Sequence, residues 1–225
     1  MWFSKNVNGT KIYTDIELYI YRLEFRQFSA EHHNASRNWL IPIIYCKNSE
    51  LFGIGDASYL GDDDRIIDEI KYLFEKYYKG KDPLDNESIW LNAYNNSMQR
   101  GGRISTTAIS GLDIALWDLK GKILNQPIYK LLGGSLREKI MVYANGWYTN
   151  PGTPKLNAEE AEKVIDMGYK AIKFDPFGQK NFYKLSKEEF FLSENRIKEV
   201  RKAVGQNVEI VIEGHAKFNV MNAVK

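Results

Sequence analysis

From residue 139 onward the chain alternates between short apolar runs and helical stretches, and this rhythm restricts its architecture more than any other feature. Residues 139–144 (KIMVYA), 169–174 and 208–212 (VEIVI) read as strands, the last apolar enough to be expected buried on both faces. Residues 158–167, with Asn157 as cap and Gly168 as stop, and residues 188–204 read as the helices between them; another helix begins at Asn219. A β-α-β-α-β order means parallel strands joined by right-handed crossovers. The zone is roughly 90 residues long, whereas a closed eight-strand barrel takes about 200 to 250. Three parallel strands cannot close. The expectation is either a small open sheet or a barrel left unfinished, with a free edge.

Two other zones precede it. Residues 11–23 (KIYTDIELYIYRL) are rich in β-branched and aromatic side chains, with partial alternation, and read as a long strand. Residues 38–46 (NWLIPIIYC) read as a second strand and 51–54 as the start of a third. Together they make an antiparallel meander whose first connection, 27–37, is a polar loop holding His32 and His33. A helical zone follows. Asp62, Asp63 and Asp64 precede an apolar stripe at Ile66, Ile67, Ile70, Leu73 and Phe74, which Gly80 ends. A shorter helix follows Asn86. Ile109, Leu112, Leu116, Leu119 and Ile123 recur at steps of three and four and mark the clearest helix. Pro127 opens a short helix that Gly133 and Gly134 close. A boundary near 134–138 divides the chain into an α+β domain, 1–136, and a parallel-strand domain, 137–225.

Composition removes several function classes. Lys and Arg number 31 against 29 Asp and Glu, a net charge of +2, which argues against a nucleic-acid binder working by general electrostatics. Cys46 is the single cysteine, so an intramolecular disulfide framework and a cysteine-based zinc site are both excluded. No run of 18 apolar residues exists, so no membrane-spanning helix is expected. The first residues, MWFSKNVNGTKIYTD, lack the apolar region of a secretory signal, and the cytoplasm is the default expectation.

Chemistry is expected at the C-terminal ends of the parallel strands, where loops and helix N-termini converge. Lys173 and Asp175 flank Phe174 at the end of the second strand; Glu213 and His215 flank Gly214 at the end of the third. Alternation predicts that each pair shares a face. A carboxylate beside an imidazole suits metal binding and proton transfer, and Gly214 is expected to let the chain bend close to a ligand. Charged pairs after strands are also ordinary solvated loops, and spacing alone leaves both readings open. A flavodoxin-like sheet fits the same rhythm, but no phosphate-binding glycine loop follows the first strand.

Longer motifs carry a resemblance. Residues 102–134 (GRISTTAISGLDIALWDLKGKILNQPIYKLLGG) resemble the signature helix and turn of the mandelate racemase/muconate-lactonizing branch of the enolase superfamily. The likeness continues through GIGDAS (53–58), YKAIKFDP (169–176) and VIEGHAKF (211–218), and within the branch it is nearest the gluconate, galactonate and arabinonate dehydratases. It implies an α+β capping domain followed by the first part of a (β/α) TIM-type barrel, incomplete after its third strand. It also implies Mg²⁺-assisted removal of the proton α to the carboxylate of a sugar acid, through an enediolate, followed by loss of the β-hydroxyl to give a 2-keto-3-deoxy acid.

Carried over by position, the resemblance makes Glu213 a metal ligand, although most members have Asp there. It makes His215 the acid for the leaving hydroxyl and Lys173 a catalytic lysine in contact with the substrate carboxylate. Asp175 falls in the catalytic set, where racemases and cycloisomerases place a basic lysine, which argues for dehydration. His32 and His33, in the capping loop, are candidates to touch substrate, and Arg37 and Tyr45 are weaker ones. Asn145 and Trp147 are placed to line a pocket, and Trp117 of the signature is expected to pack. The remaining ligands and the catalytic base belong to later strands, so the chain as it stands is expected to be incompetent alone. A homo-oligomer, or a second chain completing the barrel, is the implied assembly. The alternatives are a non-catalytic remnant or split-enzyme subunit, and a racemase or cycloisomerase of the same superfamily.

Overall fold

In a computed structural model, residues 16–26, 36–47, 49–58, 61–97, 102–150, 152–178 and 185–224 are described. They divide between Leu136 and Arg137 into two compact units. In the first, strands β1 (Ile16–Arg26), β2 (Ser36–Cys46) and β3 (Phe52–Ile54) form an antiparallel sheet in that order. The register runs from Ile16 opposite Cys46 to Arg26 opposite Ser36. The period of two puts Ile16, Leu18 and Ile20 on the face shared with Pro42, Ile44 and Cys46, and that face enters the core. Tyr19, Tyr21 and Leu23 stand on the other face and are about half exposed. Pro42 lies in the central strand, where a proline is unusual because it gives no N–H to a ladder. Its carbonyl still accepts from Gly55 N at 2.8 Å, and the β2–β3 ladder stops at Ile43 opposite Ile54.

Helices cover the inner face. They are α1 (Asp63–Leu73), running into a π-helical turn (Phe74–Tyr78), α2 (Asn86–Ser97), α3 (Arg103–Leu124) and the short α4 (Ile128–Leu131). Asp63 and Asp64 complement the first turn of α1, as the acidic run predicts. Helix α3 supplies the centre of the core through Ala108, Leu112, Ala115, Leu116 and Leu119, all fully buried. It approaches β3 more closely than side chains normally allow. A Cβ on Gly53 would lie 1.9 Å from Ala115 O, one on Gly55 1.9 Å from Gly111 O, and one on Gly111 2.6 Å from Ala57 Cβ. Two residues of strand advance about 6.6 Å and four of helix about 6.0 Å, so Gly53, Gly55 and Ala57 keep step with Leu119, Ala115 and Gly111.

The signature helix also closes the sheet edge. Ile54 N donates to Asp118 Oδ2 at 2.8 Å, and Lys122 Nζ donates to Phe52 O and to Asp118, each at 2.7 Å. Backbone groups that an edge strand would leave open are thus taken by two side chains one helical turn apart. Trp117 is half-buried with Lys120 Nζ 5.2 Å from its ring centre, consistent with packing. Burial raises the Asp113 carboxyl; burial and then the Asp113 charge raise the Tyr78 phenol.

In the second unit, α5 (Pro154–Asp166), β4 (Ala171–Phe174), α6 (Lys187–Val204), β5 (Glu209–Ile212) and α7 (Val220–Val224) follow one another. β4 and β5 pair in parallel, Ala171 opposite Glu209 through Phe174 opposite Ile212. Tyr148, Ala161, Val164, Ile172, Phe174 and Val200 form the core beneath them. Helix α6 opens on a capping box: Ser186 Oγ accepts from Glu189 N at 3.2 Å, and Glu189 Oε2 from Ser186 N at 3.3 Å.

Three expectations change here. Residues 139–144 make a single parallel bridge, Ala144 to Ile172, instead of a strand, and Ile140, Met141 and Val142 are exposed. A strand needs a ladder along its length, and this segment has one anchoring point. The cap of α5 is Thr153, with Pro154 in the first turn; Asn157 lies inside the helix, buried, with its amide donating to Thr149 O at 3.2 Å. β5 is not buried on both faces: Val211 is 41% and Ile212 46% exposed, because among the described residues β4 is its only ladder neighbour. No helix of the described residues is long and apolar enough to cross a membrane.

Candidate active site

The parallel pairing of β4 with β5 brings Lys173 and Glu213 together. Lys173 sits opposite Val211, and Glu213, one residue beyond β5, reaches back so that its Oε2 lies 2.8 Å from Lys173 Nζ. Glu213 N donates to Phe174 O at 2.9 Å, which extends the ladder by one step. Glu213 Oε1 accepts from His215 N at 2.7 Å. The backbone of Lys173 is held from both sides: its N–H donates to Ala144 O at 2.8 Å, and its carbonyl accepts from Trp147 Nε1 at 3.0 Å. Its ammonium lies 5.6 Å from the Tyr143 ring centre. Trp147, half-buried against Tyr148 and Phe174, is thus a support of this strand end; Asn145 is exposed.

The hydrogen bond from Lys173, and then that from the His215 amide, hold the Glu213 carboxyl below the usual glutamate range. A lowered folded-state value favours the native state above the unfolded value and loses that contribution as pH falls through the folded one. The Lys173–Glu213 pair is therefore expected to persist below the pH at which free glutamate protonates. Following the Glu213 side-chain carboxyl carbon by NMR through an acid titration checks this, with Lys173→Met expected to raise the midpoint toward the ordinary range.

Lys173 and Asp175, which alternation predicts on one face, enter different ion pairs. β4 ends at Phe174, and Asp175 enters a turn in which its Oδ1 accepts from Phe177 N at 2.9 Å. Its Oδ2 accepts from Lys217 Nζ, which also donates to Gly178 O. Asp175 is 4% exposed, and the Lys217 side chain 8%. Arg196 of α6 is buried nearby, with Nε on Gly152 O at 2.6 Å and Nη1 on Pro176 O at 2.7 Å. Burial lowers its guanidinium and the Asp175 charge opposes that shift. So the strand ends carry two separate ion pairs, Lys173–Glu213, about a quarter exposed, and Asp175–Lys217, buried.

His215 is exposed and lies in the left-handed region at φ 48°, as does Ala216 at φ 53°. Each such residue costs on the order of 1–2 kcal/mol. The bend expected of Gly214 therefore falls on the two residues after it. His32 and His33 lie outside the described residues, as does the side chain of Arg37. Tyr45 is half-buried in the meander between Tyr19 and Phe52, ring centres 5.2 Å from each.

Sequence reasoning missed Lys217 and Arg196. Both carried a signal. Lys217 continues the alternation of Glu213 and His215, and Arg196 interrupts the inward stripe of Ser193, Ile197 and Val200, where a charge must find partners.

The magnesium ion that the resemblance implies takes several oxygen ligands. Among the described residues no group of three or more His, Cys, Asp and Glu side chains could hold a metal ion. Glu213 is one carboxylate, engaged by Lys173 and by the His215 amide, and Asp175 is engaged by Lys217. These residues do not by themselves fit a magnesium site.

Comparison with known proteins bears on both units. Residues 37–133 match the mandelate racemase/muconate lactonizing enzyme N-terminal domain. The chain is 42% identical over 149 residues to a D-gluconate dehydratase of Thermoproteus tenax, covering 66% of this chain and 30% of that protein. It is 33% identical over 152 residues to a D-gluconate/D-galactonate dehydratase of Picrophilus torridus, covering 67% and 39%. Among solved structures, an enolase-superfamily member from Salmonella Typhimurium superposes with a TM-score of 0.75 at 32% identity, covering 84% of this chain and 53% of that one. A mandelate racemase/muconate lactonizing enzyme from a Sulfitobacter species superposes with a TM-score of 0.78 at 25% identity, covering 94% and 55%. The chain thus spans about half the length of these solved relatives and less of the two dehydratases. The first unit is an α+β capping domain and the second the first part of a (β/α) barrel, with two paired parallel strands among the described residues. Residues 37–133 thus carry the mandelate racemase/muconate lactonizing enzyme N-terminal domain, and the chain is similar to gluconate and galactonate dehydratases and to an enolase-superfamily structure.

Proposed function

We propose that this chain serves a sugar-acid dehydratase, a hydro-lyase that converts a sugar acid to its 2-keto-3-deoxy acid. The observation that carries this is the meeting of Lys173, Glu213 and the His215 loop at the ends of two parallel strands, in a chain similar to dehydratases of gluconate and galactonate. In such a reaction a base takes the proton from the carbon α to the carboxylate, the β-hydroxyl leaves as water, and the enol becomes the 2-keto acid. The Lys173 ammonium suits the substrate carboxylate, since a charge-assisted bond to it is stronger than a neutral one. The exposed imidazole of His215, when protonated, suits delivery of a proton to the departing hydroxyl. Asp175 is bound to Lys217, which fits a positional role better than proton transfer. The β5 edge, which has no second ladder partner among the described residues, favours a second reading, in which the chain works only when another polypeptide extends the sheet.

The test is the purified chain, with and without magnesium, against D-gluconate, D-galactonate and D-mannonate, with the 2-keto-3-deoxy product measured as its semicarbazone. No product is expected from the chain alone, and product from at least one substrate is expected once the later barrel strands of a related dehydratase are supplied as a second polypeptide. Lys173→Met should raise KM about 10- to 100-fold, as expected for loss of a hydrogen bond to a charged group. His215→Asn should lower kcat about 10²- to 10⁴-fold. α-Proton exchange in D₂O without loss of water would assign a racemase instead. Neither product nor exchange, at concentrations where the chain is a monomer, would support the reading in which a second polypeptide is needed.

A further inference from the structure

We propose that Lys217 is the positioning residue for His215, fixing where the imidazole stands without itself touching substrate. This rests on His215 being the group that meets the leaving hydroxyl, as read above. Among the described residues, His215 and Ala216 are the one place where two consecutive non-glycine residues take positive φ. Such a conformation persists only where its surroundings over-determine it, and it concentrates at functional sites.

The surroundings do this from both sides. Before the pair, Glu213 is tied to β4 through Phe174 O, and its carboxylate accepts from the His215 amide. After the pair, Lys217 N donates to Gly214 O at 3.0 Å, and the side chain carries its ammonium into the protein, onto Asp175 and Gly178 O. A lysine on a loop ordinarily leaves its ammonium in water, because removing it costs more than a single partner returns. Here the anchor is fixed in advance: Asp175 is held by the Phe177 amide at 2.9 Å and lies in the field of Arg196. The left-handed pair is thus stretched between two fixed points on the end of β4, one through Glu213 and one through Lys217. If the second is released, the backbone at 215–216 is free to return to an extended conformation, and the imidazole loses its fixed place.

The experiment is heteronuclear NMR on the full chain without substrate, comparing Lys217→Met and Lys217→Arg with the parent. The Cα and Cβ shifts of His215 and Ala216 report the left-handed backbone, and those of α5 and α6 report the unit as a whole. K217M is expected to move the 215–216 shifts to extended values and leave α5 and α6 unchanged, and K217R to keep the parent values. Adding Ala216→Gly to K217M, which lifts the steric penalty at one of the two positions, is expected to recover part of the change. In the sugar-acid assay K217M should lower kcat at least tenfold and leave KM within twofold, since the Lys173 side is untouched. Parent-like 215–216 shifts in K217M would overturn the proposal. So would loss of helical shifts throughout α5 and α6, which would assign Lys217 to the fold at large. The shifts are read without turnover, so they decide the positional claim separately from the dehydratase reading, which is overturned by a chain that stays inactive on every sugar acid with the later barrel strands supplied.

Discussion

Gly55→Ala is expected to take away a large share of the first unit's stability. The added carbon would lie 1.9 Å from the Gly111 carbonyl oxygen and about 3 Å from two further backbone atoms of α3, so no rotamer can relieve it. The helix would have to retreat by more than an ångström (roughly the overlap left against a normal carbon–oxygen contact), and its retreat would open space around Leu112, Ala115 and Leu116, all fully buried. Overpacking alone usually costs about 1–3 kcal/mol, and displacing a whole helix adds the loss of packing around it, so a total above about 4 kcal/mol is expected. Native domains have about 5–15 kcal/mol to lose. Labelling with 5-fluorotryptophan gives the readout through Trp90 and Trp117, whose resonances should move to the unfolded position at a much lower urea concentration in G55A. Gly61→Ala is a useful contrast, because a carbon there would meet nothing within 4 Å and its cost is the positive φ of 84° alone. If G55A keeps native Trp90 and Trp117 resonances and a parent-like urea midpoint, the close docking of β3 on α3 is wrong.

Arg196→Met should have the second-largest effect, and it falls on the other unit. The guanidinium joins the carbonyl of Gly152, just before α5, to that of Pro176, just after β4, and is buried where it does so. Methionine fills much of the same volume and supplies none of the donors. Two carbonyls lose a charged partner, and Asp175 loses the field of Arg196 while keeping its bond to Lys217. Breaking a buried charged network by removing one member typically costs about 3–5 kcal/mol. The loss is expected as a lowered urea midpoint followed through Trp147, the single tryptophan after residue 137. A shift worth less than about 1 kcal/mol would mean that water replaces the guanidinium and that the network is not closed.

The elements that depend on their own residues were legible in the sequence. The meander is legible in the β-branched and aromatic enrichment of 11–23 and 38–46, which overlap the observed strands, and α3 in apolar steps of three and four, since neither requires knowledge of a partner. The signature motif was legible as a pattern, but its physical content was not. Gly53, Gly55 and Gly111 only acquire meaning once strand and helix lie against each other. Residues 139–144 have the composition of a strand and lack the ladder, because being a strand is a property of two segments. The cap of α5 was misplaced because Asn157 and Thr153 are both good caps, and the deciding signal was Pro154 directly after Thr153. At the site, alternation pairs Lys173 with Asp175 and Glu213 with His215, whereas the meeting of Lys173 with Glu213 depends on the register between two strands and was not legible. Asp175 leaves its expected pairing because the strand ends one residue before it and a turn re-aims the side chain.

The two sheet edges differ in a way that bears on how long the isolated protein lasts in solution. The edge at β3 is closed by Asp118 and Lys122, whereas β5 offers half-exposed Val211 and Ile212 beside backbone groups with no ladder partner among the described residues. An open strand is a template for another open strand. Loss through that edge needs two molecules to meet, so its rate is second order: doubling the concentration should halve the time to half-loss, while a first-order unfolding route would leave that time unchanged. Shelf life measured against dilution therefore reports on the edge directly, and a charge placed at Val211 should lengthen it without altering the urea midpoint of the first unit.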